Sequence, residues 1–285
     1  MQKNNIKNYK IYNGDCLELM KEIEDDSIDL ILCDLPYGTT DRHGQKNNKN
    51  RLYSWDSIIP LDSLWEQYTR ILNKKHGSVI LTADQPFTSI LIMSNLDWFK
   101  YEWIWKKKKT TGFLLSNYRP MKQTEDVLVF SPLGASPASF KAGKGMRYNP
   151  QGLIPKKVTK KNNAKRLGNF LHNPKHMGKG NKLLNESEYE QKFTNYPSEI
   201  IEFGLDKNHI HPTQKPVKLM EYLISTYSNE GDVVLDNCMG SGTTGIGCIN
   251  LNRKFIGMEK DKEYFILAKD RIEKHNNEKL NKDFF

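Results

Sequence analysis

Three short, β-prone apolar runs that each stop at a carboxylate constrain this chain more than any other feature. Ile28-Asp29-Leu30-Ile31-Leu32-Cys33 ends at Asp34, Asp232-Val233-Val234-Leu235 at Asp236, and Lys254-Phe255-Ile256-Gly257-Met258 at Glu259. Such runs, bounded by turn residues, read as strands buried in a sheet. Four more strands are expected at Tyr9–Asn13, Ser78–Thr82, Tyr101–Trp105 and Asp126–Phe130. Helical spacing marks Cys16 to Glu24, Leu61 to Leu72, Asp84 to Asn95, Thr213 to Tyr227, Thr243 to Leu251 and Asp261 to His275. Strands alternating with helices are the signature of a parallel α/β sheet. Such sheets bind ligands beyond the carboxyl ends of their strands, where Asp34 stands.

The chain has 285 residues, room for one large domain or one domain with a substantial insertion. No apolar run approaches the roughly 20 residues of a membrane span, and Met1 to Lys10 lacks the apolar stretch of a signal peptide. Cys16, Cys33, Cys238 and Cys248 form neither a CxxC pair nor a disulfide pattern. They read as reduced thiols in a cytoplasmic protein. His209 and His211 have no cysteine or acidic cluster beside them, so no metal is expected. Trp103 and Trp105 are expected in the core.

The net charge of +9 suggests a polyanionic partner, and its distribution says more than its size. Twelve Lys/Arg and no Asp/Glu lie between Leu133 and Lys182, so the remainder of the chain is slightly acidic. This stretch, rich in Lys, Gly and Asn, reads as an inserted, polyanion-binding module. The expected organisation is a catalytic half over 1–132, an insertion over 133–210 and a cofactor half over 211–285. A long polar loop, Thr39 to Trp55, adds Arg42, Lys46, Lys49 and Arg51; loops of that length are usually functional or disordered. Lys106 to Lys109 read equally as phosphate contacts or as a solvated loop.

Two motifs carry the chemistry. In Asp34-Leu35-Pro36-Tyr37-Gly38, Pro36 fixes its own φ and biases Leu35 towards an extended backbone. A carboxylate, a neighbouring carbonyl and a flat ring suit a planar exocyclic amine; a strand ending in a proline turn is the plain alternative. Gly240-Ser241-Gly242-Thr243-Thr244-Gly245 is formally G-x-G-x-x-G between a strand and a helix, and Glu259 ends the next strand. Alone, this fits a dinucleotide. Asp236 repels a pyrophosphate, however, and suits a cationic ligand. S-adenosylmethionine offers an ammonium and a sulfonium for Asp236, a carboxylate for the helix start with Ser241 or Thr243, and a ribose diol for Glu259. Methylation of an aromatic amine then assigns Asp34 as acceptor for its N–H groups, Tyr37 as a stacking platform, and a base flipped out of its duplex.

The chain resembles the β-arranged amino-methyltransferases of DNA, N6-adenine or N4-cytosine type. Asp34-Leu35-Pro36-Tyr37 resembles their D-P-P-Y. Asp236 to Thr244 resembles D-P-F-x-G-S-G-T-T, His211 to Pro216 matches H-P-T-Q-K-P, and Asn13-Gly14-Asp15 resembles a motif near the cofactor adenine. Leu35 stands where the family has proline, and Asn237-Cys238-Met239 replaces its Pro-Phe pair. The resemblance implies a circularly permuted, seven-stranded Rossmann-like sheet with an inserted target-recognition region. It implies catalytic roles for Asp34, Leu35, Pro36 and Tyr37. It implies S-adenosylmethionine contacts from Asp15, Asp34, Lys215 and Asp236, then from Gly240, Ser241, Gly242, Thr243 and Glu259. DNA contacts are expected from Arg42, Lys46, Lys49 and Arg51, and from Lys144, Arg147, Lys160, Lys161, Lys165 and Arg166. Aspartate at position 34 resembles adenine-specific members. Double-stranded DNA is the expected substrate, and a homodimer and a cognate restriction endonuclease are candidate partners. Rival readings are N4-cytosine or RNA amine methylation, a dinucleotide oxidoreductase, and a DNA-binding module on a decayed methyltransferase fold.

Overall fold

The computed structural model describes residues 8–38, 57–161, 188–207 and 214–282. They form two units, Met1–Asn149 with Glu199–Phe285, and Pro150–Ser198. The larger unit holds strands β1 (Tyr9–Asn13), β2 (Leu30–Asp34), β3 (Ser78–Ala83), β4 (Phe99–Thr111) and β5 (Lys122–Phe130). The smaller unit contains an antiparallel pair, β6 (Ile154–Lys161) and β7 (Glu188–Thr194). Then come β8 (Ile200–Phe203), β9 (Val233–Asp236) and β10 (Lys254–Glu259), again in the larger unit.

The eight strands of the larger unit form one sheet in the order β1-β10-β9-β2-β3-β5-β4-β8. Only β5 runs against its neighbours. The two halves of the chain meet in mid-sheet, where β2 lies parallel to β9, with Leu30 opposite Val234 and Ile31 opposite Leu235. From that seam the chain winds one way to β3 and the other way through β10 to β1. The seam is therefore a topological switch point, where the strand ends leave a crevice. All seven expected strands are present.

Helices cover both faces, as parallel sheets require. α1 (Cys16–Met20), α2 (Leu61–Ile71) and α3 (Phe87–Ser94) cover one; α5 (Val217–Tyr227), α6 (Thr243–Asn250) and α7 (Lys262–Lys282) cover the other, and α4 (Pro137–Lys141) follows β5. The period-two alternation of β2 feeds both cores. Leu30 and Leu32 bury with Leu223, Ile246 and Ile272; Ile31 and Cys33 bury with Met20, Leu64 and Leu91. Trp103 and Trp105 are core residues whose indole N–H groups donate to the Tyr227 hydroxyl at 2.6 Å and the Phe203 carbonyl at 3.0 Å. No helix among the described residues is long and apolar enough to cross a membrane.

The segment expected as one module over 133–210 divides differently. Both of its flanks belong to the larger unit, and the compact inserted unit is Pro150–Ser198. The later flank supplies β8, an eighth strand beside β4. The earlier flank runs under the amino ends of the strands. There the Arg147 N–H donates to the His76 carbonyl at 3.2 Å, and the Arg147 guanidinium is bonded to Asp232. Asp29 accepts from Val233 N at 2.8 Å and lies 2.7 Å from His76 Nε2. Arg147 thus closes the seam at the edge opposite the crevice. Asp232 is largely buried, so losing its partner leaves a poorly solvated charge. Arg147→Ala is expected to lower the unfolding free energy by about 1–3 kcal/mol in a denaturant titration.

Candidate active site

The carboxyl ends of β2, β9 and β10 open into a cavity of about 990 Å³. Asp15, Asp34 to Tyr37, Glu125, Lys215, Asp236 to Ser241, Thr243 and Glu259 all line it. One space therefore unites residues drawn from both ends of the sequence.

Asp34 is the last residue of β2. Its Oδ1 accepts from the Tyr37 hydroxyl at 2.7 Å and from the Thr82 hydroxyl, which β3 presents directly opposite. Its Oδ2 accepts from Lys215 Nζ at 2.6 Å. Tyr37 stacks on Phe87 with ring centroids 5.5 Å apart, and the Lys215 ammonium lies 5.7 Å from the Tyr37 ring centre. Burial, with Asp34 nearby, pushes the Tyr37 phenol well above its ordinary range. Gly38 turns the chain away at a φ of 64°. Leu35, at the family's proline position, is 3 % exposed and packs into the core with Cys33 and Phe87. The departure is absorbed by apolar packing.

The second departure is absorbed by a hydrogen bond. Asn237 is buried and its side-chain oxygen accepts from the Tyr68 hydroxyl at 2.6 Å. Beside it, Asp236 is 4 % exposed; it accepts from Thr244 Oγ1 at 2.6 Å and Cys238 N at 3.1 Å. Burial raises its pKa to about 7. The glycine loop follows. Gly240 has a φ of +50°, and a Cβ built there meets nothing within 4 Å, so a ligand can approach its backbone. Gly242 caps α6 at a φ of +74°, and a Cβ there would lie 2.8 Å from Ile272.

Glu259 holds the loop from β10. Its carboxylate accepts from Gly240 N at 2.9 Å and from Asp261 N at 2.8 Å, and burial raises its pKa. Arg271 braces the loop from α7, donating to the Ser241 carbonyl at 2.9 Å and to Thr243 Oγ1 at 3.0 Å. Asp15 caps α1 by accepting from Leu17 N at 3.0 Å and pairs with Lys260 at 3.0 Å. The hydrogen bond from Lys260 lowers the Asp15 pKa. Two acceptors over an open glycine backbone, with a carboxylate at the far wall, fit the zwitterion and diol of S-adenosylmethionine.

The sequence-expected residues separate into three groups. Every catalytic and cofactor position lines the cavity except Gly242, which shapes the loop. Lys144 and Arg147 are not brought to it. Arg147 is bonded to Asp232 at the opposite edge, and the Lys144 backbone is tied to Gly134 and Ser139 in the loop after β5. Lys160 and Lys161 lie on β6 in the smaller unit. Arg42, Lys46, Lys49, Arg51, Lys165 and Arg166 lie outside the described residues, as do His209 and His211. Sequence reasoning missed Thr82, Phe87, Glu125 and Arg271. Thr82 could have been flagged as the residue that ends the strand neighbouring β2; nothing local marks the others.

The raised Asp236 pKa makes a prediction. A carboxyl easier to protonate when folded than unfolded adds stability that is full below about pH 4 and lost as pH rises through 7. Asp236→Asn is neutral at every pH. The unfolding free energy of the variant, measured by denaturant titration, should gain on wild type as pH rises from 5 to 8.

Comparison with known proteins agrees with this geometry. The DNA methylase family model matches residues 28–270. The type II methyltransferase M.HpaI of Haemophilus parainfluenzae is 28% identical over 275 residues, covering 93% of this chain and 74% of that one. The DNA adenine methyltransferase YhdJ of Escherichia coli K12 is 28% identical over 269 residues, covering 92% and 82%. Among solved structures, the M1.HpyAVI complex with S-adenosylmethionine superposes with a TM-score of 0.55 at 25% identity, covering 92% of this chain and 99% of that one. The cytosine-N4-specific PvuII methyltransferase shares the fold, with a TM-score of 0.60 at 17% identity over 96% of this chain and 93% of its own. The family match spans the seam from β2 to α7, and with it this chain belongs to the DNA methylases, as a β-class amino-methyltransferase that uses S-adenosylmethionine.

Proposed function

We propose that the chain methylates N6 of an adenine flipped out of double-stranded DNA. The observation that carries this reading is the shared cavity, in which the Asp34 carboxylate and the Tyr37 ring open onto the same space as the glycine loop. S-adenosylmethionine supplies the methyl group when bound. Asp236 would hold its cationic end, the α6 start with Ser241 and Thr243 its carboxylate, and Glu259 its ribose. The oxygens of Asp236 and Glu259 keep lone pairs beyond the loop bonds described above.

The lone pair of an aromatic amine is delocalised into its ring, which makes it a poor nucleophile. Asp34 Oδ2 and the Leu35 carbonyl accept its two N–H groups, favour a pyramidal nitrogen and stabilise the positive charge that develops there. Tyr37, already braced by Phe87, stacks on the base. A base in duplex cannot reach the floor of such a cavity, so it enters flipped.

The β4–β5 ribbon extends this site towards DNA. Pairing with β3 ends at Ala83, opposite Asp126, so the ribbon beyond Ile104 overhangs the strand ends that form the cavity. Lys108, Lys109 and Arg119 on it are exposed. Its turn exposes Phe113, Leu114 and Tyr118, at 75%, 92% and 87%. Cations for phosphate and apolar groups for an opened base step suit a deformed duplex. Lys160 and Lys161, with the remaining basic residues of the inserted segment, supply further phosphate contacts in this reading. The type II names of relatives fit an enzyme that protects a site from a cognate restriction endonuclease, and a DNA substrate fits a cytoplasmic location.

Adenine is favoured over cytosine by Asp34 in the catalytic motif and by the adenine activity that YhdJ's name states. Mass spectrometry of nucleosides from DNA treated with the protein and S-adenosylmethionine tests this. N6-methyladenine is expected. N4-methylcytosine in its place moves the chain to the other branch of the family, and no modified nucleoside contradicts the reading.

A further inference from the structure

The Lys215 ammonium stands where the proposed reaction needs the substrate amine. It donates to Asp34 Oδ2 at 2.6 Å, and it lies over the Tyr37 ring at 5.7 Å. Both the acceptor and the stacking platform are thus taken. Lys215 is 7% exposed, so it cannot leave for water without a large rearrangement. One alternative partner lies within reach. Glu125 Oε2 is 3.4 Å from the same ammonium, is buried, and has no hydrogen-bond partner among the described residues. Its other oxygen is bonded to Lys107, which fixes the carboxylate in place. Glu125 Oε2 is thus ion-paired with the buried cation but not hydrogen-bonded to it, and a small shift of Lys215 towards it would supply that bond. The other charges facing Lys215 are Asp34 and, through Glu125, Lys107.

We propose that Lys215 is a displaceable surrogate for the target amine, and that Glu125 is the seat it moves to when the flipped base enters. This rests on the amino-methyltransferase reading above. The exchange balances in hydrogen bonds and charge. In the closed state Lys215 donates to Asp34 at 2.6 Å and faces Glu125 Oε2 at 3.4 Å as an ion pair without a hydrogen bond. In the open state Lys215 donates to Glu125 Oε2 and the base amine donates to Asp34. Lys215 and Glu125 are positioning residues in this scheme; neither takes up the methyl group. Burial pushes the Lys215 pKa down, but the charges of Asp34 and Glu125 outweigh it and hold the pKa above its ordinary value. The side chain therefore stays an ammonium with no lone pair to be methylated.

Steady-state methylation of a duplex that the wild type methylates tests the exchange, with 2-aminopurine at the target position reporting base entry. Glu125→Gln keeps the shape but removes the anionic seat. It is expected to raise KM for DNA and reduce the 2-aminopurine signal by about tenfold. Binding of S-adenosylmethionine, read by calorimetry, should change by less than about twofold, which also shows that the variant is folded. Lys215→Met removes the surrogate and should strengthen base entry by a few-fold, in the wild-type and the Glu125→Gln background alike. Unchanged KM and fluorescence in Glu125→Gln would overturn the proposal. So would weaker base entry in Lys215→Met, the result expected if Lys215 contacts the base directly. Failure of the wild type to methylate any duplex would instead overturn the function on which the exchange rests.

Discussion

A buried carboxylate, Asp236, and a half-buried one, Asp34, at the ends of adjacent parallel strands are the constraint to which the rest of this molecule answers. Asp34 ends β2 and Asp236 ends β9, and their charges are close enough for Asp34 to help raise the Asp236 pKa. Neither charge is tolerable in a protein interior without donors around it. Asp34 receives two hydroxyls and an ammonium, and Asp236 a hydroxyl and a backbone N–H. The donors arrive from β3, α6 and the segment before α5, so satisfying the two acids also assembles the cavity. The glycine loop and Asp34 are neighbours because the sheet places their strands side by side.

That placement follows from the winding of the chain. The Asp34–Tyr37 motif comes early and the glycine loop late, yet β2 and β9 pair directly. The sheet can be extended at its far edge without disturbing the seam. β4 and β8 lie at that edge.

The seam itself was legible because a parallel strand buried on both faces reads as an apolar run, and its end as the first carboxylate. The continuation of β4 was not. Lys106 to Thr111 is polar on both faces, so no hydrophobic period distinguishes a projecting ribbon from a loop. β8 was missed because it is a four-residue edge strand that follows a stretch with no pattern. In the site, residue types were readable while partners were not. Lys215 meets Asp34 across 181 positions and Tyr68 meets Asn237 across 169, contacts that only the folded sheet defines. Arg147 shows the converse error. It belongs to a basic stretch by sequence, but its charge is consumed by Asp232.

In the proposed reaction Asp34 acts on the acceptor amine rather than on the cofactor. Asp34→Asn separates the two, since it keeps the shape of the side chain and removes its charge. The decisive measurement pairs calorimetry of S-adenosylmethionine binding with single-turnover methylation of DNA by that variant. Cofactor affinity within about threefold of wild type, with transfer slowed by at least about a hundredfold, is the predicted result. Transfer at the wild-type rate, or loss of cofactor binding in step with transfer, would contradict it.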